Sequence, residues 1–299
     1  ISTLSLHDAL PIYLIPEVYA KTVRDNMIGV MQGRLLPKYK GRYQAHPVDY
    51  WQEEFDIASD LELDLIEFIF DFNDADKNPL MHKCGLNEIQ RLSEDYGVSV
   101  KSICADYFME APLHSLEPQV VEESQQVLRK LIINASSIGI RDLVIPCVDQ
   151  SSLVNGSIEA FVKNIYPALE LAEKYCVNLA LETDFAPGPF AELLERFDTP
   201  RVTVNYDIGN SVSLGYDQEE EFAAYGDRIT DIHIKDRVCG GGSVMLGEGD
   251  ADFEQFFTRL SELDYTGPFI MQAYRDNEGV SVFKSQLRWL SRYLDETNR

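Results

Sequence analysis

The feature that most constrains the fold of this chain is a regular alternation of short β-branched runs with longer helical patterns. Short apolar runs rich in Val and Ile predict buried strands, whereas apolar residues at every third or fourth position predict amphipathic helices. Eight strand candidates follow residue 26: MIGVM (27–31), LIEFIF (65–70), VSVKSIC (98–104), DLVIPCV (142–148), VNLALET (177–183), RVTVNYD (201–207), ITDIHIK (229–235) and PFIMQA (268–273). The alternation predicts βα units around a parallel sheet.

Helical patterns separate these runs, at 48–62, 118–139, 157–176, 252–263 and roughly 280–294. A closed barrel needs eight βα repeats, whereas a doubly wound open sheet usually has fewer strands and often a Gly-rich first turn. The sequence contains no GxGxxG motif. We therefore predict an α/β fold in which residues 27–299 form a single (β/α)8 TIM barrel.

The N-terminal segment supplies no βα unit. Residues 2–12, STLSLHDALPI, resemble the peptide translated from sequencing-adapter DNA, and Met27 is the first plausible native start. We expect residues 1–26 to be a non-native or poorly ordered extension. A genuine helical or extended N-terminal arm is the alternative.

The charge balance restricts the partners of the chain. Fifty acidic against 26 basic side chains give a formal net charge of −24, which repels polyanions and offers no basic stripe for a phosphate backbone. Nucleic acid is therefore not expected as a partner. A small anionic substrate remains compatible with this charge, because a local cluster of Lys and Arg outweighs distant acids.

The apolar and cysteine patterns indicate where such a chain resides. No apolar run approaches the roughly 18 residues of a membrane helix, so no membrane partner is expected. Five cysteines occur singly, with no CxxC pair, which argues against a disulfide framework and against a thiolate zinc site. We expect a soluble protein of a reducing compartment, the cytoplasm, and the sequence leaves a homo-oligomer open.

The stretch DIHIKDR, residues 231–237, has the periodicity of a strand but carries charge on one side. Side chains alternate between the two faces of a strand, so Asp231, His233 and Lys235 share one face and Ile232 and Ile234 the other. The inward face of a barrel strand normally packs branched apolar residues, and active sites lie at the carboxyl ends of the strands. The polar face therefore predicts a functional site at the barrel mouth.

The same pattern recurs on the last four predicted strands. Each delivers one oxygen or nitrogen ligand near its carboxyl end: Glu182, Asp207, His233 and Gln272. Alone, each of these residues is more simply a loop anchor or a satisfied core residue. Together, two carboxylates, an imidazole and an amide oxygen suit a divalent ion such as Mn²⁺, Mg²⁺, Co²⁺ or Zn²⁺.

A set of motifs in order along the chain resembles the sugar phosphate isomerase/epimerase family. This xylose-isomerase-like TIM-barrel group includes L-ribulose-5-phosphate and L-xylulose-5-phosphate 3-epimerases and ketose 3-epimerases. The resemblance extends from Met27 to the C-terminus and specifies no substrate. It rests on GVMQGRL (29–35), WQEEFDIASDLELDLIEFIFD (51–71), KSICADYF (101–108), VIPCVD (144–149), ALETD (180–184), NYDIGN (205–210), DIHIKDR (231–237) and LGEGDADF (246–253).

The resemblance implies a divalent metal held by Glu182, Asp207, His233 and Gln272, and proton abstraction next to a carbonyl with Glu182 as the base. In the epimerases of the family the last ligand is usually Glu, which serves as a second acid/base on the opposite face of the sugar. Gln cannot take a proton at working pH. The departure at Gln272 places the two-base epimerase mechanism in doubt.

Further polar residues at the predicted mouth are candidate substrate contacts. Arg and Lys can bind a phosphate or several sugar hydroxyls, and surface ion pairing is the alternative for Arg237 and Arg275. The Gly-rich loop 239–253 is either a phosphate site or a lid whose final Asp caps the next helix. The candidate contacts are Gln32, Arg34, Glu67, Lys235, Arg237 and Arg275.

The leading functional prediction is a metal-dependent isomerase or epimerase that acts on a sugar or a sugar phosphate. A lyase that dehydrates an inosose-like or keto-sugar-like compound would use the same enolate, and Gln272 favours a third reading, a non-catalytic carbohydrate-binding barrel. The apurinic endonucleases of the same superfamily need a larger cluster of ligands. His46, His82 and His114 fall outside the strand-end pattern, which argues against that activity.

Overall fold

A computed structural model describes residues 26–154, 156–277 and 279–294 of the chain. The strands are β1 (Ile28–Met31), β2 (Leu65–Ile69), β3 (Ser102–Cys104), β4 (Asp142–Cys147), β5 (Asn178–Thr183), β6 (Val202–Asp207), β7 (Ile229–Ile234), β8 (Asp236–Arg237), β9 (Ser243–Val244) and β10 (Phe269–Met271). Eight of them are parallel and close into a barrel in the order β1-β10-β7-β6-β5-β4-β3-β2, and β8 and β9 form a separate two-stranded sheet. The predicted (β/α)8 barrel is thus confirmed.

Helices surround the barrel, and each helical pattern read from the sequence corresponds to one of them. They are α1 (Glu53–Asp60), α2 (Lys83–Tyr96), α3 (Tyr107–Glu110), α4 (Pro118–Ser137), α5 (Ile158–Tyr175), α6 (Pro187–Leu194), α7 (Ile208–Leu214), α8 (Gln218–Tyr225), α9 (Phe253–Glu262) and α10 (Val280–Leu294). Short 3₁₀ turns occupy Ala75–Lys77, Pro79–Met81, Asp149–Ser151 and Gly226–Arg228. None of the helices in these parts of the chain is long and apolar enough to cross a membrane.

The apolar core has two parts. The larger part lies between the outward faces of the strands and the helices, and it includes Ile232 and Ile234. A smaller cluster lies inside the barrel and consists of Met31, Leu65, Ile69, Cys104, Val144, Ala180 and Ile270. Because this inner cluster forms only part of the interior, polar side chains occupy the rest.

The polar face of β7 turns inward, as its alternation predicts. Asp231 and His233 have no exposed surface, and parallel pairing sets His233 beside Asp207 of β6 and beside Ile270 of β10. Since the carboxyl ends of parallel strands meet at one rim, this register brings the polar ends of β5, β6, β7 and β10 together. The fold therefore gathers the predicted ligands at the barrel mouth.

Residues 1–25 of the predicted N-terminal extension lie outside the described residues. Asn26, which the sequence assigns to that extension, is buried, and its Nδ2 donates to the carbonyl oxygens of Tyr265 and Gly267. These bonds join the chain entering β1 to the segment entering β10. The barrel therefore includes Asn26.

Deleting residues 1–25 is expected to leave the melting temperature nearly unchanged, because their sequence predicts no βα unit. Thermal unfolding measures the effect. A fall in melting temperature of about 10 °C on deletion would contradict this expectation.

Asn26→Ala is expected to lower the free energy of unfolding by about 1–2 kcal/mol, because two carbonyl groups lose a hydrogen-bond donor. Denaturant unfolding measures the change, and an unchanged free energy of unfolding would show that these two bonds do not stabilise the barrel.

Candidate active site

Three buried side chains converge at the carboxyl ends of β5, β6 and β7. One ligand atom from each of Glu182, Asp207 and His233 lies within 4.8 Å of the others. His233 Nδ1 is 3.5 Å from Glu182 Oε2 and 3.9 Å from Asp207 Oδ2. Atoms at this separation can surround a single cation, so these residues form a candidate metal centre.

Two asparagines fix the carboxylate of Glu182. Asn205 Nδ2 lies 2.8 Å from Glu182 Oε2 and 3.1 Å from His233 Nδ1, and Asn210 Nδ2 donates to Glu182 Oε1 at 2.7 Å. Asn210 is placed by helix α7, whose N-cap Asp207 accepts its backbone N–H at 2.8 Å. Both oxygens of Glu182 are therefore oriented by neutral donors.

The candidate metal centre concentrates negative charge in a buried space. Burial and, after it, the neighbouring charge of Asp207 raise the pKa of Glu182 to about 7. Lys235 Nζ lies 3.3 Å from Asp207 Oδ2 and supplies one compensating charge. Adjacent buried carboxylates are stable only when they are protonated or matched by cations, so the residues present fit a bound divalent ion.

His233 is held from below by Glu67 of β2. His233 Nε2 and Glu67 Oε1 are 2.8 Å apart, and both side chains are completely buried. This bond assigns the ring proton to Nε2, so that the lone pair of Nδ1 faces Glu182 and Asp207. Ser102 Oγ donates to the other oxygen of Glu67, and burial raises the pKa of Glu67 to about 7.

Glu67 and Gln32 are two of the expected substrate contacts, and neither has any exposed surface. Gln32 Oε1 accepts the backbone N–H of Ile69 at 3.1 Å and bonds His46 Nδ1 at 2.9 Å. Burial lowers the pKa of His46 to about 3, so its ring is neutral. Gln32 and Glu67 thus make internal bonds, whereas Gln32 Nε2 is buried with no partner among the described residues; contact of these two residues with a substrate stays a prediction.

Gln272 lies directly after β10, at the same rim. Its Nε2 donates to Gln44 Oε1 at 3.0 Å, whereas its Oε1 is buried with no partner among the described residues. An unpartnered buried oxygen is costly, and a cation would remove that cost. Gln272 is therefore suited to offer an amide oxygen to the candidate metal centre.

Lys235 and Arg237 lie beside Asn210 on the β7 side of the mouth. Lys235 Nζ is 3.3 Å from Asn210 Oδ1, and Arg237 Nη1 donates to the same oxygen at 3.0 Å. Arg237 also donates from Nε and Nη2 to the carbonyl of Gly241. Of the two, Lys235 also contacts a residue of the candidate metal centre, since its Nζ is 3.3 Å from Asp207 Oδ2.

Arg34 and Arg275 lie together at the loop after β1. Arg275 donates to the carbonyl oxygens of Arg34 and Leu36, and its guanidinium stacks 4.6 Å from the ring centroid of Tyr43. Arg34 Nη2 donates to Gln44 Oε1 at 3.3 Å, and burial lowers the pKa of Arg34 to about 10. Arg275 therefore stabilises the loop after β1, whereas Arg34 shares with Gln272 the acceptor Gln44 Oε1.

The Gly-rich loop 239–253 is held by Asp236 of β8. Asp236 Oδ2 accepts the backbone N–H groups of Gly247 and Gly249, both at 2.9 Å, and Oδ1 accepts that of Ala251 at 3.2 Å. These three amides are therefore not free to bind a phosphate. The predicted cap is present, since Asp252 accepts the backbone N–H of Gln255 at the start of α9.

Gln44 and Asp106 also lie at the mouth, and neither is among the site residues predicted from the sequence. Gln44 Nε2 donates to Asp106 Oδ2 at 3.1 Å, and Cys104 Sγ lies 3.2 Å from Asp106 Oδ1. Gln44 lies in a long loop with no periodic signal. For Asp106 one signal existed, because it lies two residues after Cys104 in the strand run 98–104.

Residues 55–293 match the family model of the xylose isomerase-like TIM barrels, and the chain belongs to this family. It is 24% identical over 269 residues to a putative L-ribulose-5-phosphate 3-epimerase, SgbU, of Haemophilus influenzae, with 82% of this chain and 92% of that protein covered. It is 27% identical over 239 residues to the L-ribulose-5-phosphate 3-epimerase UlaE of Escherichia coli O1:K1 / APEC, with 76% and 83% covered.

A solved structure shares the fold at lower identity. It is a xylose isomerase-like TIM barrel protein from Mycobacterium smegmatis in complex with magnesium, with a TM-score of 0.67 and 18% identity over 91% of this chain and 98% of that one. At this identity the likeness supports the fold alone. The family and the fold agree with the resemblance read from the sequence motifs.

Glu67→Gln is expected to weaken divalent metal binding by about 10- to 100-fold, because a neutral amide oxygen accepts the Nε2 proton of His233 more weakly than a carboxylate does and makes Nδ1 a poorer ligand. Calorimetric titration with Mn²⁺ measures the change. Glu94→Gln, on the exposed face of α2, is the matched control and should bind as the unmodified protein does. Unchanged affinity in Glu67→Gln would show that the buried bond does not prepare His233 for a metal.

Proposed function

We propose that this protein is a metal-dependent isomerase or epimerase of a sugar or sugar phosphate that acts by removing a proton next to a carbonyl. The relatives named as L-ribulose-5-phosphate 3-epimerases support a sugar isomerase or epimerase as the class of enzyme. The single observation that carries the proposal is the convergence of Glu182, Asp207 and His233 within 4.8 Å.

Glu182, Asp207, His233 and Gln272 would hold a divalent ion, such as Mn²⁺, Mg²⁺, Co²⁺ or Zn²⁺. The close carboxylates and the unpartnered Gln272 Oε1 favour this assignment. When bound, such an ion withdraws electron density from a ketose carbonyl and acidifies the neighbouring C–H bond.

Glu182 is the proposed base. Its carboxylate is held at both oxygens by Asn205 and Asn210, which orients it to take a proton from a bound substrate and to return it. Removal of the proton beside the carbonyl leaves an enediolate. Lys235, 3.3 Å from Asp207, is placed to stabilise negative charge that develops on a substrate oxygen.

The remaining proposed substrate contacts are the cations around the mouth. Arg34, Arg237 and Arg275 donate to neutral carbonyl or amide oxygens, which leaves their positive charge available to an anionic or hydroxyl-rich ligand. These residues follow β1, β7 and β10, whose carboxyl ends lie at the mouth. They would orient the part of the sugar that does not react.

With Gln272 in place of a carboxylate, Glu182 is the only proton-transfer group among the four proposed metal ligands that faces the substrate as a base. An amide has no proton to exchange at working pH, so a proton removed by Glu182 returns from the same face unless another acid is present. Return to the neighbouring carbon gives aldose–ketose isomerisation through a cis-enediolate. Inversion at C3 requires a second proton-transfer group.

Glu182→Gln is expected to abolish exchange of the substrate α-proton with solvent, by at least about 100-fold, while metal stays bound, because the amide keeps an oxygen but loses its basicity. NMR in D₂O across ketoses and pentulose phosphates, with metal analysis of each sample, measures both properties. Glu173→Gln, exposed on α5, is the control. Exchange that persists in Glu182→Gln would remove this residue from the role of base.

Gln272→Glu is expected to retain the metal and to introduce or enhance inversion at C3, because a carboxyl group then faces the substrate from β10. Metal analysis and NMR of the product stereochemistry test the two parts separately. Loss of the metal from this variant would contradict the assignment of position 272 as a ligand.

A further inference from the structure

A second carboxyl group lies at the mouth on the opposite arc of the barrel. The proposed metal ligands occupy β5, β6, β7 and β10, which are consecutive in the ring, whereas β3 lies across the ring from β7 and two strands from β5, which carries Glu182. Asp106 follows β3 directly. A substrate that covers the candidate metal centre therefore extends toward Asp106.

The side chains on both arcs stand on the same apolar layer. Cys104, Ala180 and Ile270 belong to the inner core cluster, and Glu182 and Gln272 lie two residues beyond Ala180 and Ile270. Asp106 lies two residues beyond Cys104, and the 3.2 Å contact between Cys104 Sγ and Asp106 Oδ1 shows that it too faces inward. Asp106, Glu182 and Gln272 thus each lie two residues beyond a member of the inner core cluster.

Two hydrogen bonds connect Asp106 to Gln272, the position at which the epimerases of the family usually have Glu. Gln272 Nε2 donates to Gln44 Oε1 at 3.0 Å, and Gln44 Nε2 donates to Asp106 Oδ2 at 3.1 Å. The loop after β1 therefore spans the mouth between β10 and β3, with one amide between the two side chains.

The partners of Asp106 leave it able to exchange a proton. It is held by the Gln44 amide and the Cys104 thiol, both neutral, and it forms no ion pair within 4.0 Å among the described residues. Burial raises the pKa of Asp106. Asp71, at the end of β2, differs because its Oδ2 pairs with Arg42 at 2.7 Å.

We propose that Asp106 is the second proton-transfer residue of this site and delivers a proton to the face of the substrate carbon that Glu182 does not serve. The proposal rests on the proposed function. Glu182 takes the proton as the C–H bond breaks, and the O–H bond of Asp106 breaks as a C–H bond forms on the other face. Glu182 then releases its proton to water and Asp106 takes one from water, so no oxidant or reductant is needed.

The test compares Asp106→Asn with the unmodified, metal-loaded protein in D₂O, with L-ribulose 5-phosphate and D-tagatose as probes. The unmodified protein is expected to incorporate deuterium and to invert C3. Asp106→Asn is expected to lose inversion by about 100-fold while deuterium exchange changes by no more than about threefold, because Glu182 still removes the proton. Metal content and melting temperature are measured for each variant.

Two further variants separate proton transfer from structural damage. Asp71→Asn removes a neighbouring rim carboxylate and is expected to retain inversion. The double variant Asp106→Asn with Gln272→Glu is expected to regain inversion, because position 272, which is joined to Asp106 through Gln44, then supplies a carboxyl group in its place. Its recovery requires a folded site.

The outcomes distinguish this proposal from the one on which it rests. Inversion that survives Asp106→Asn, or exchange and inversion that fall equally and are not regained in the double variant, would overturn the role of Asp106. Exchange without inversion in the unmodified protein would overturn it too, while Glu182 keeps its role. No exchange with any ketose of the wider panel would instead remove the proposed function itself.

Discussion

The site depends on one buried hydrogen bond, between His233 Nε2 and Glu67 Oε1. Neither side chain has exposed surface, so this bond offsets the cost of placing an imidazole and a carboxyl group inside the barrel. It also determines which nitrogen of His233 faces Glu182 and Asp207. Burial raises the pKa of Asp231, beside Glu67, well above its usual range, which limits the number of charges in this interior.

The arrangement of the interior explains how one barrel carries both a core and a site. A single apolar cluster that includes Leu65, Ala180 and Ile270 fills part of the lumen, and the polar residues stand around and above it. The branched side chains that normally fill a barrel are thus concentrated between strands and helices. Stability comes mainly from that outer layer, which leaves the lumen free to hold polar groups.

Much of the fold could be predicted from the sequence, because the strands are β-branched runs bounded by helical patterns. The ends of the strands were less predictable. Strand β3 is confined to Ser102–Cys104, because the start of the run 98–104 pairs only through a single bridge between Leu65 and Ser99.

The candidate site was predicted from the alternation of side chains along each strand. This alternation shows that a side chain points into the barrel, but not how deep in the barrel it lies. Glu67 is the third residue of β2 and lies below the mouth, whereas Glu182 lies near the end of β5. Gln44 lies in a loop, where the sequence has no strand or helical periodicity from which the direction of its side chain could be predicted.

The position of Asn205 has a consequence for the rate at which a metal can enter. Its Nδ2 lies within hydrogen-bonding distance of both Glu182 Oε2 and His233 Nδ1, which are the lone pairs that an ion would need. The amide therefore keeps the two ligands in place before loading and must turn away when an ion arrives. Uptake of the proposed ion would then include a side-chain rearrangement, and at high metal concentration its rate would reach a plateau set by the rotation of Asn205.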